Sequence, residues 1–198
     1  PKQENLKSKA IELNQKLYDG AIYKNYKIPT MVGCYNNTLL VGQGANDLKQ
    51  KLKQGKNLWH SFKMELGEDM GAKYAESELN NDKIKILNPK DVTTLFFKYL
   101  KAQIEKYVKE NNLPSTIEYA VSIPASFEAN QRKDLIDSLH ANEMMLQKQA
   151  LIDEPNAAFL SYISQQDLQN EINISDDFPI NILVFDFGAG TCDISILE

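Results

Sequence analysis

The sequence predicts an α/β fold, with a mixed sheet flanked by helices and a smaller α+β unit attached to it. Strand-like and helical segments alternate from residue 88 onward, which is typical of α/β proteins. The first half instead carries short β-rich runs joined by turn residues, which indicates a smaller unit. Residues 165–178 are polar and acidic, as in a loop that separates two lobes.

The composition is that of a globular chain of 198 residues, with 42% hydrophobic and 25% charged residues and a formal net charge of -5. No basic stripe with interleaved aromatic residues occurs, which argues against a nucleic-acid partner. No signal peptide or membrane-spanning run is evident, so we expect a cytoplasmic protein without a membrane partner. Cys34 and Cys192 match no zinc or redox spacing and are expected to be buried thiols in a reducing compartment.

The first elements are predicted to be a helix and a hairpin. Apolar residues recur at helical spacing near the start, which predicts an N-terminal helix within residues 1–27 that stops at Gly20 and has no assigned role. Residues 31–35 and 38–41 are β-rich on either side of Asn36-Asn37, which indicates a tight β-hairpin. The apolar residues of the predicted helix are Leu6, Ala10, Leu13 and Leu17.

The elements that follow alternate between helix and strand. A short polar helix is expected over residues 46–53, and a strand with one wet face over residues 80–87. Asn88 can cap the clearest helix, which has Pro89 at its first position. The stretch TIEYAVSIP predicts a strand, SFEANQRKDLIDSLHANEMM a second helix, and ALIDEPNAAFLSYIS a strand followed by a third helix that Pro155 opens.

The last 18 residues, NILVFDFGAGTCDISILE, predict a hairpin that can bind phosphate. The turn at residues 188–191 has little side-chain bulk, so its backbone N–H groups can approach an anion, and the Thr191 hydroxyl can donate to a phosphate oxygen. Asp186 and Asp193, one on each strand, can hold a hydrated Mg²⁺. A plain hairpin with two surface acids is the alternative at this point. The apolar set expected to face the core is Cys192, Ile194 and Ile196.

The hairpin resembles the second phosphate motif of the 70-kDa heat-shock protein (DnaK-like) family, usually a buried strand followed by D-L-G-G-G-T-F-D-V-S. The block YAVSIPASFEANQRKDLIDSLHANEMMLQKQALIDEPNAAFLSYI resembles the preceding block of that family, V-P-A-x-F-x-x-x-Q-R followed by I-x-E-P-x-A-A-A-x-A-Y. Weaker similarities link YKIPTMVGCYNNTLLVGQGA to the family hairpin T-P-S-x-V-x-F, and SFKMELG to A-K-R-L-I-G. Together they cover residues 28–198.

The resemblance implies an actin-like ATPase fold of the ribonuclease H-like type, in which nucleotide lies between two lobes. We expect a smaller first-lobe subdomain over residues 28–110, the main first-lobe subdomain over 111–176 and the first hairpin of the second lobe over 177–198. The family's first phosphate motif, D-x-G-T-T, and its adenosine-binding residues have no counterpart in this sequence. The chain is therefore expected to be an incomplete fold, a fragment that binds ATP weakly by itself and can self-associate through strand edges.

The resemblance assigns catalytic and coupling roles to four residues outside the hairpin. Lys63 matches the family lysine that orients the attacking water and the γ-phosphate, and Glu154 matches the glutamate near the metal-bound water. Pro124 and Arg132 match a proline and an arginine that couple nucleotide state to the rest of the chaperone. The alternatives are that Lys63 is a solvated lysine and that Glu154 is a helix N-cap. For Pro124 the alternative is a strand terminus, and for Arg132 a surface arginine.

Within the hairpin, the resemblance assigns Asp186 and Thr191 to catalysis at the phosphate and metal site. Asp193 matches a cation-coordinating acid, so that Asp186 and Asp193 together form the metal site. The phosphate-binding turn is matched by Gly188, Ala189, Gly190 and Thr191. Ala189 stands where the family has glycine, and its Cβ restricts a conformation with positive φ.

The function that the resemblance implies is that of a heat-shock-type chaperone, in which ATP binding and hydrolysis drive protein folding in the full-length chain. ATP or ADP, Mg²⁺ and a further K⁺ are the cofactors so implied, and unfolded client polypeptides and co-chaperones the partners. A degenerate nucleotide-binding regulator or exchange partner with little turnover is the alternative, favoured by Ala189 and by Met64-Glu65 in place of an Arg-Leu pair. A sugar kinase or filament protein is disfavoured, because VSIPASFEANQR and IDEPNAA are chaperone-like strings.

Overall fold

The computed structural model describes residues 9–74, 77–79, 84–164, 181–187 and 192–197. The chain divides into two compact units. The first comprises Pro1–Thr116 and Lys133–Glu143, and the second Ile117–Arg132 and Met144–Glu198. Within the described part of the chain, no helix is both long enough and apolar enough to cross a membrane.

The first unit begins with a β-hairpin, so the predicted N-terminal helix is wrong for the residues that the structure describes. Strands β1 (Leu13–Lys16) and β2 (Ile22–Asn25) pair in antiparallel fashion. Gly20, which the sequence suggested as a helix stop, has a φ of 90° and lies in the turn between the strands. Glycine adopts this left-handed conformation without strain, so the residue marks a hairpin turn here.

A buried glutamine explains why the sequence pattern of β1 was misleading. Leu13 and Gln15 lie two positions apart and are both buried, which is the periodicity of a strand. The Gln15 side chain donates to the carbonyl oxygen of Lys27 at 3.0 Å and accepts from the backbone N–H of Gln43 at 2.8 Å. Because the inward position is polar, the alternation of apolar residues cannot be recognised from the sequence.

A three-stranded antiparallel sheet follows, in the order β4-β3-β5. Strands β3 (Met31–Tyr35) and β4 (Thr38–Val41) form the predicted hairpin, and β5 (Leu58–His60) pairs with the other edge of β3. Asn36 and Asn37 both have positive φ, 48° and 57°, as the tight turn requires. Helix α1 (Gln43–Asn46) begins three residues before the predicted short helix and passes into turns.

Apolar side chains from both faces of this sheet are buried. One cluster joins β3 and β5 to the long helix described next, and within it the Phe62 and Phe96 rings meet edge-on with centroids 6.0 Å apart. A second cluster, around α1, uses the alternate strand residues and therefore the opposite face. The buried members of the first cluster are Val32, Cys34, Val41, Trp59, Phe62, Tyr74, Leu79, Ile86, Val92 and Phe96.

Helix α2 (Pro89–Glu110) confirms the prediction of its start. The Asn88 side chain accepts from the backbone N–H of Asp91 at 2.9 Å, and the Asp91 carboxylate accepts from the N–H of Leu87 at 2.8 Å. The first bond satisfies the N–H of Asp91, which the first helical turn leaves open, and the second ties the chain before the cap to the same turn. Residues 84–87 alternate in burial but form no strand, and residues 80–83 lie outside the described part.

The prediction of a buried thiol is confirmed for Cys34. Its side chain lies in the core of the first unit, and burial, followed by the nearby Glu78 carboxylate, raises the pKa of the thiol. The protonated form is thereby favoured, as for a structural cysteine. The side chain of Cys192 lies outside the described part of the structure.

The second unit pairs two parallel strands and carries a separate hairpin. Strand β6 (Tyr119–Ile123) pairs with β7 (Leu146–Asp153), and helix α3 (Ala129–His140) lies between them in sequence. Helix α4 (Glu154–Ile163) follows β7, and strands β8 (Ile182–Phe187) and β9 (Cys192–Leu197) form the predicted antiparallel hairpin. The α/β class is as predicted, but the described strands form separate parallel and antiparallel sheets in place of the expected mixed sheet. The expected subdomain boundaries stay predictions.

The hairpin turns its apolar residues outward, contrary to expectation. Ile194 and Ile196 pair across the strands with Phe185 and Leu183, and the four side chains are 59–68% exposed. The opposite face, which carries Val184 and Ser195, is half-buried. A two-stranded sheet has two faces, and α4, which approaches β8, can cover one of them. Which face is covered depends on the packing of α4, and the alternation of residues along the strands does not determine it.

Candidate functional site

The hairpin places two carboxylates directly opposite each other. Asp186 on β8 is the register partner of Asp193 on β9. Residues opposite one another in an antiparallel pair have Cβ atoms about 4.5–5.5 Å apart, and like charges at this distance repel. The predicted placement of one acid on each strand is therefore confirmed, and the structure adds that the two are register partners, which lowers the stability of the hairpin.

One of these carboxylates contains a buried oxygen without a hydrogen bond. The Oδ2 atom of Asp193 is inaccessible to solvent and has no donor within reach among the described residues. A buried, unpaired carboxylate oxygen is unfavourable unless a cation or a donor compensates it. Together with the facing carboxylate of Asp186, this orphaned oxygen fits the chemistry of a bound cation.

The donor set suits a hydrated ion better than a fully enclosed one. Among the residues that the structure covers, no group of three or more histidine, cysteine, aspartate or glutamate side chains could hold a metal ion. Mg²⁺ typically keeps several of its waters and binds through one or two carboxylates plus substrate phosphates. Asp186 and Asp193 could hold such an ion.

The predicted phosphate-binding turn lies outside the described residues. The last register pair of the hairpin is Phe187 with Cys192. Gly188, Ala189, Gly190 and Thr191, which follow Phe187, belong to the part of the chain that is not described. Their assignment to phosphate binding stays a prediction.

A second group of predicted site residues lies at the carboxyl ends of β6 and β7. Ile123 and Asp153 are register partners in the parallel pair, and Pro124 and Glu154 follow them directly. The carboxyl ends of parallel strands are the usual place of ligand binding in α/β sheets. Glu154 is half-buried and is the first residue of α4, whereas the N-cap position belongs to Asp153.

Arg132 joins the segments that follow these two strands. Its Nε atom donates to the carbonyl oxygen of Phe127 at 2.9 Å, and its Nη2 atom lies 3.0 Å from the Asp153 carboxylate. Phe127 in turn donates its N–H to the carbonyl oxygen of Pro124 at 3.1 Å. The arginine thus reaches both the turn that begins at Pro124 and the residue before Glu154.

Asp153 is a residue that the sequence analysis missed. It stands directly before the Glu-Pro pair of IDEPNAA, where it could be read as an ordinary helix cap. Its side chain makes no capping hydrogen bond and pairs with Arg132 instead. An acid beside a predicted site glutamate, with an arginine 21 residues before it, was the available signal.

Lys63 belongs to the first unit, whereas the other predicted site residues belong to the second. It belongs to a single-turn 3₁₀ helix, Phe62–Glu65, which follows the left-handed residue Ser61, and its side chain is half-buried. Glu65 of the same turn accepts a hydrogen bond from the Tyr74 hydroxyl at 2.6 Å and pairs with the ammonium of Lys73. From the sequence, Glu65 was noted only as part of Met64-Glu65, which replaces an Arg-Leu pair of the family and so lowers the positive charge near Lys63; in the structure Lys73 compensates the charge of Glu65.

Comparison with known proteins places this chain in context. Residues 23–198 match the family model described as Hsp70 protein. The heat shock cognate HSP70 protein of Trypanosoma brucei brucei is 28% identical over 195 residues, which cover 88% of this chain and 26% of that relative. The chain therefore spans about a quarter of the length of this curated relative. All the candidate site residues lie within the range matched to the family.

Proposed function

The chain belongs to the Hsp70 protein family, and we propose that it forms part of a nucleotide-binding domain that binds and hydrolyses ATP to drive a chaperone cycle. The observation that carries this proposal is the facing pair Asp186 and Asp193, with the orphaned oxygen of Asp193. A purely structural hairpin would gain stability by replacing either acid, whereas a Mg-nucleotide site needs them.

In this proposal Asp186 and Asp193 are the residues that would hold Mg²⁺. The ion would supply positive charge that offsets the negative charge of the ATP phosphates during hydrolysis. Backbone N–H groups of the turn at residues 188–190 and the hydroxyl of Thr191 donate to phosphate oxygens. K⁺ as a further cation, and a cytoplasmic location, stay predictions from the sequence.

Lys63 and Glu154 have separate tasks in the proposed hydrolysis. The Lys63 ammonium offsets negative charge that develops on the transferred phosphoryl group. The Glu154 carboxylate accepts a hydrogen bond from the attacking water and orients it, which lowers the entropic cost of the reaction. Its place at the start of α4, directly after a parallel strand, holds the carboxylate on rigid backbone.

Arg132 and Pro124 are proposed to couple the nucleotide state of the site to the conformation of the rest of the protein. The ion pair between Arg132 and Asp153 lies one residue from Glu154, so a shift at the start of α4 would reach the Pro124 turn through the arginine. In the whole protein, this movement would regulate the binding of unfolded polypeptides and co-chaperones.

A nucleotide-binding regulator with little turnover is the second candidate function. Ala189 favours it, because an alanine in a phosphate-binding turn restricts backbone conformations that glycine allows. The other argument for it was the negative charge of Glu65 near Lys63. That argument is weakened, because Lys73 balances this charge within the first unit.

Single-turnover hydrolysis of Mg-ATP by the whole protein tests the proposal. Lys63→Ala should slow the chemical step by about 10²–10³-fold, the usual effect of removing one group that stabilises transition-state charge. The matched control is Lys133→Ala, since Lys133 is an exposed lysine paired with Asp137, and its rate should stay within about twofold of wild type.

Three results would be read differently. A slow Lys63→Ala variant beside a normal control supports an ATPase in which Lys63 acts on the phosphate. ATP binding without turnover in the unsubstituted protein favours the regulator, and Ala189→Gly is then the substitution that should restore turnover. Absence of Mg-ATP binding in calorimetry contradicts both candidate functions.

A further inference from the structure

The short helix that carries Lys63 is anchored in the core at both of its ends. Phe62, its first residue, and Leu66, which follows its last, are both buried. A 3₁₀ helix has about three residues per turn, so Phe62 and Glu65 lie on the same face. The carboxylate of Glu65 is therefore directed towards the interior beside the buried ring of Phe62. Its side chain is 15% exposed.

The inward carboxylate is satisfied by two neighbours from one other segment. Tyr74 is fully buried, and its hydroxyl donates to Oε2 of Glu65 at 2.6 Å. The Lys73 ammonium pairs with Oε1 of the same carboxylate. Burial, then the hydrogen bond and charge of Glu65, raise the pKa of the Tyr74 phenol well above its usual range, so the hydroxyl remains a donor.

The segment that supplies both partners is itself held in place. Lys73 and Tyr74 end a second 3₁₀ turn, Gly71–Tyr74. The backbone of Lys73 passes so close to Gly55 that a Cβ on that glycine would stand 2.1 Å from the Lys73 carbonyl oxygen. Glu65 is thus bonded to a segment whose backbone packs closely against Gly55 and whose Tyr74 ring is fully buried.

A further bond fixes the residue that follows the Lys63 turn. The backbone N–H of Gly67 donates to the Asp134 carboxylate on α3 at 3.0 Å, within the first unit. The chain on either side of Lys63 is therefore fixed, by Ser61 and Phe62 before it and by Glu65 and Gly67 after it. Lys63 extends from a turn with little freedom to move.

We propose that Glu65, bonded to Tyr74 and Lys73, is a positioning residue that fixes the turn carrying Lys63 and so sets where the Lys63 ammonium lies. The inference rests on the function proposed for Lys63. For stability alone, an apolar residue would serve as well at this position, because a buried ion pair stabilises a protein little more than well-packed apolar side chains do. The gain is a fixed geometry at a site where a displacement of about 1 Å can lower a rate by about 10²-fold.

The test compares Glu65→Gln in two backgrounds of the whole protein, wild type and Lys63→Ala. Single-turnover hydrolysis is followed with radiolabelled Mg-ATP, so that slow residual rates stay measurable, and Mg-ATP affinity is measured by calorimetry. In the wild-type background we expect a loss of about tenfold in rate with affinity changed less than about twofold. In the Lys63→Ala background the same substitution should change the rate less than about twofold, because residues that act through one another are not additive.

Two further variants separate positioning from folding. Asp137→Asn is the matched control, since it also removes a carboxylate paired with a lysine, Lys133, and it should leave the rate unchanged. Tyr74→Phe keeps the buried ring but removes the hydrogen bond, and it should lower the rate in the same direction as Glu65→Gln, by a smaller factor. If thermal melting shows that Glu65→Gln is unfolded, Tyr74→Phe is compared in the two backgrounds instead.

The outcomes distinguish failure of this inference from failure of the proposed function. An equal loss of rate in both backgrounds, or no loss in a folded Glu65→Gln protein, overturns the positioning role alone. If Lys63→Ala turns over ATP like wild type, the role proposed for Lys63 is wrong and the positioning role falls with it.

Discussion

The two units differ in what they do with their large apolar side chains. In the first unit, Trp59, Phe62 and Tyr74 are buried in a core that extends over both faces of the β4-β3-β5 sheet. In the second unit, Phe185 and Ile194 face each other across the hairpin and are exposed. The buried apolar residues that the described part of the second unit contributes are Ile123, Phe127 and Met144.

The two units also differ in whether their charged and polar side chains find partners. In the first unit, Gln15 and Glu65 each have two partners, and the buried group left without one among the described residues is a neutral donor, the indole N–H of Trp59. The hairpin of the second unit instead places two carboxylates face to face and leaves one oxygen without a donor. An isolated two-stranded hairpin is at best marginally stable in water. We infer that the first unit supplies most of the stability, and that the repulsion between Asp186 and Asp193 lowers the stability of the hairpin.

The largest expected effect compares one phenylalanine in each unit. Phe62→Ala should lower the free energy of unfolding by about 3–5 kcal/mol, because it removes a buried ring and leaves a cavity beside Phe96. Phe185→Ala should lower it by less than about 1 kcal/mol, since that ring is largely exposed. Equilibrium unfolding in urea, followed by circular dichroism, measures both. Similar losses for the two variants would contradict the proposed difference between the units.

An intermediate effect compares one glutamine in each unit. Gln15→Ala should lower the free energy of unfolding by about 1–3 kcal/mol, because the carbonyl of Lys27 and the N–H of Gln43 lose their partner. Gln147 makes one exposed hydrogen bond to Glu118, so Gln147→Ala should change stability by less than about 0.5 kcal/mol. The same urea titration serves, and a neutral Gln15→Ala would show that the first hairpin does not depend on this glutamine.

The smallest expected effect has the opposite sign and sharpens the comparison. Without Mg²⁺, Asp193→Asn should raise the free energy of unfolding by about 0.2–1 kcal/mol, since it relieves the repulsion from Asp186. The same variant should lose the rise in melting temperature that Mg-ATP gives the unsubstituted protein. Asp137→Asn serves as the control and should not raise stability, because it breaks an ion pair with Lys133. A hairpin that is weakened by Asp193→Asn in EDTA would argue against the metal site.

Features whose causes are local in sequence could be predicted. The cap at Asn88, the tight turn at Asn36-Asn37 and the placement of Asp186 and Asp193 on the two strands of one hairpin each depend on residues within a few positions or on one hairpin. Such features follow from side-chain chemistry and strand alternation. The motifs that resemble the heat-shock family are of the same kind, since each is a short string.

Features that depend on distant residues could not be predicted. The side chain of Gln15 points inward because it bonds backbone groups 12 and 28 residues away. Since this inward residue is polar, the strand pattern was not recognised and a helix was predicted. The partners of Glu65 are eight and nine residues away in another turn. The pairing of Arg132 with Asp153 connects residues 21 apart. No periodicity in the sequence marks any of these contacts.

The sequence alone was enough to predict the α/β class, the elements from Pro89 onward and the last hairpin with one acid on each strand. Only the tertiary structure shows which face of that hairpin is buried, that the first described elements are strands, and that Glu65 pairs with Tyr74 and Lys73 and Asp153 with Arg132. The physical reason is that local propensity and alternation determine an element and its two faces. Which face is covered, and which buried polar group finds a partner, depends on the free energy of contacts that the fold alone creates.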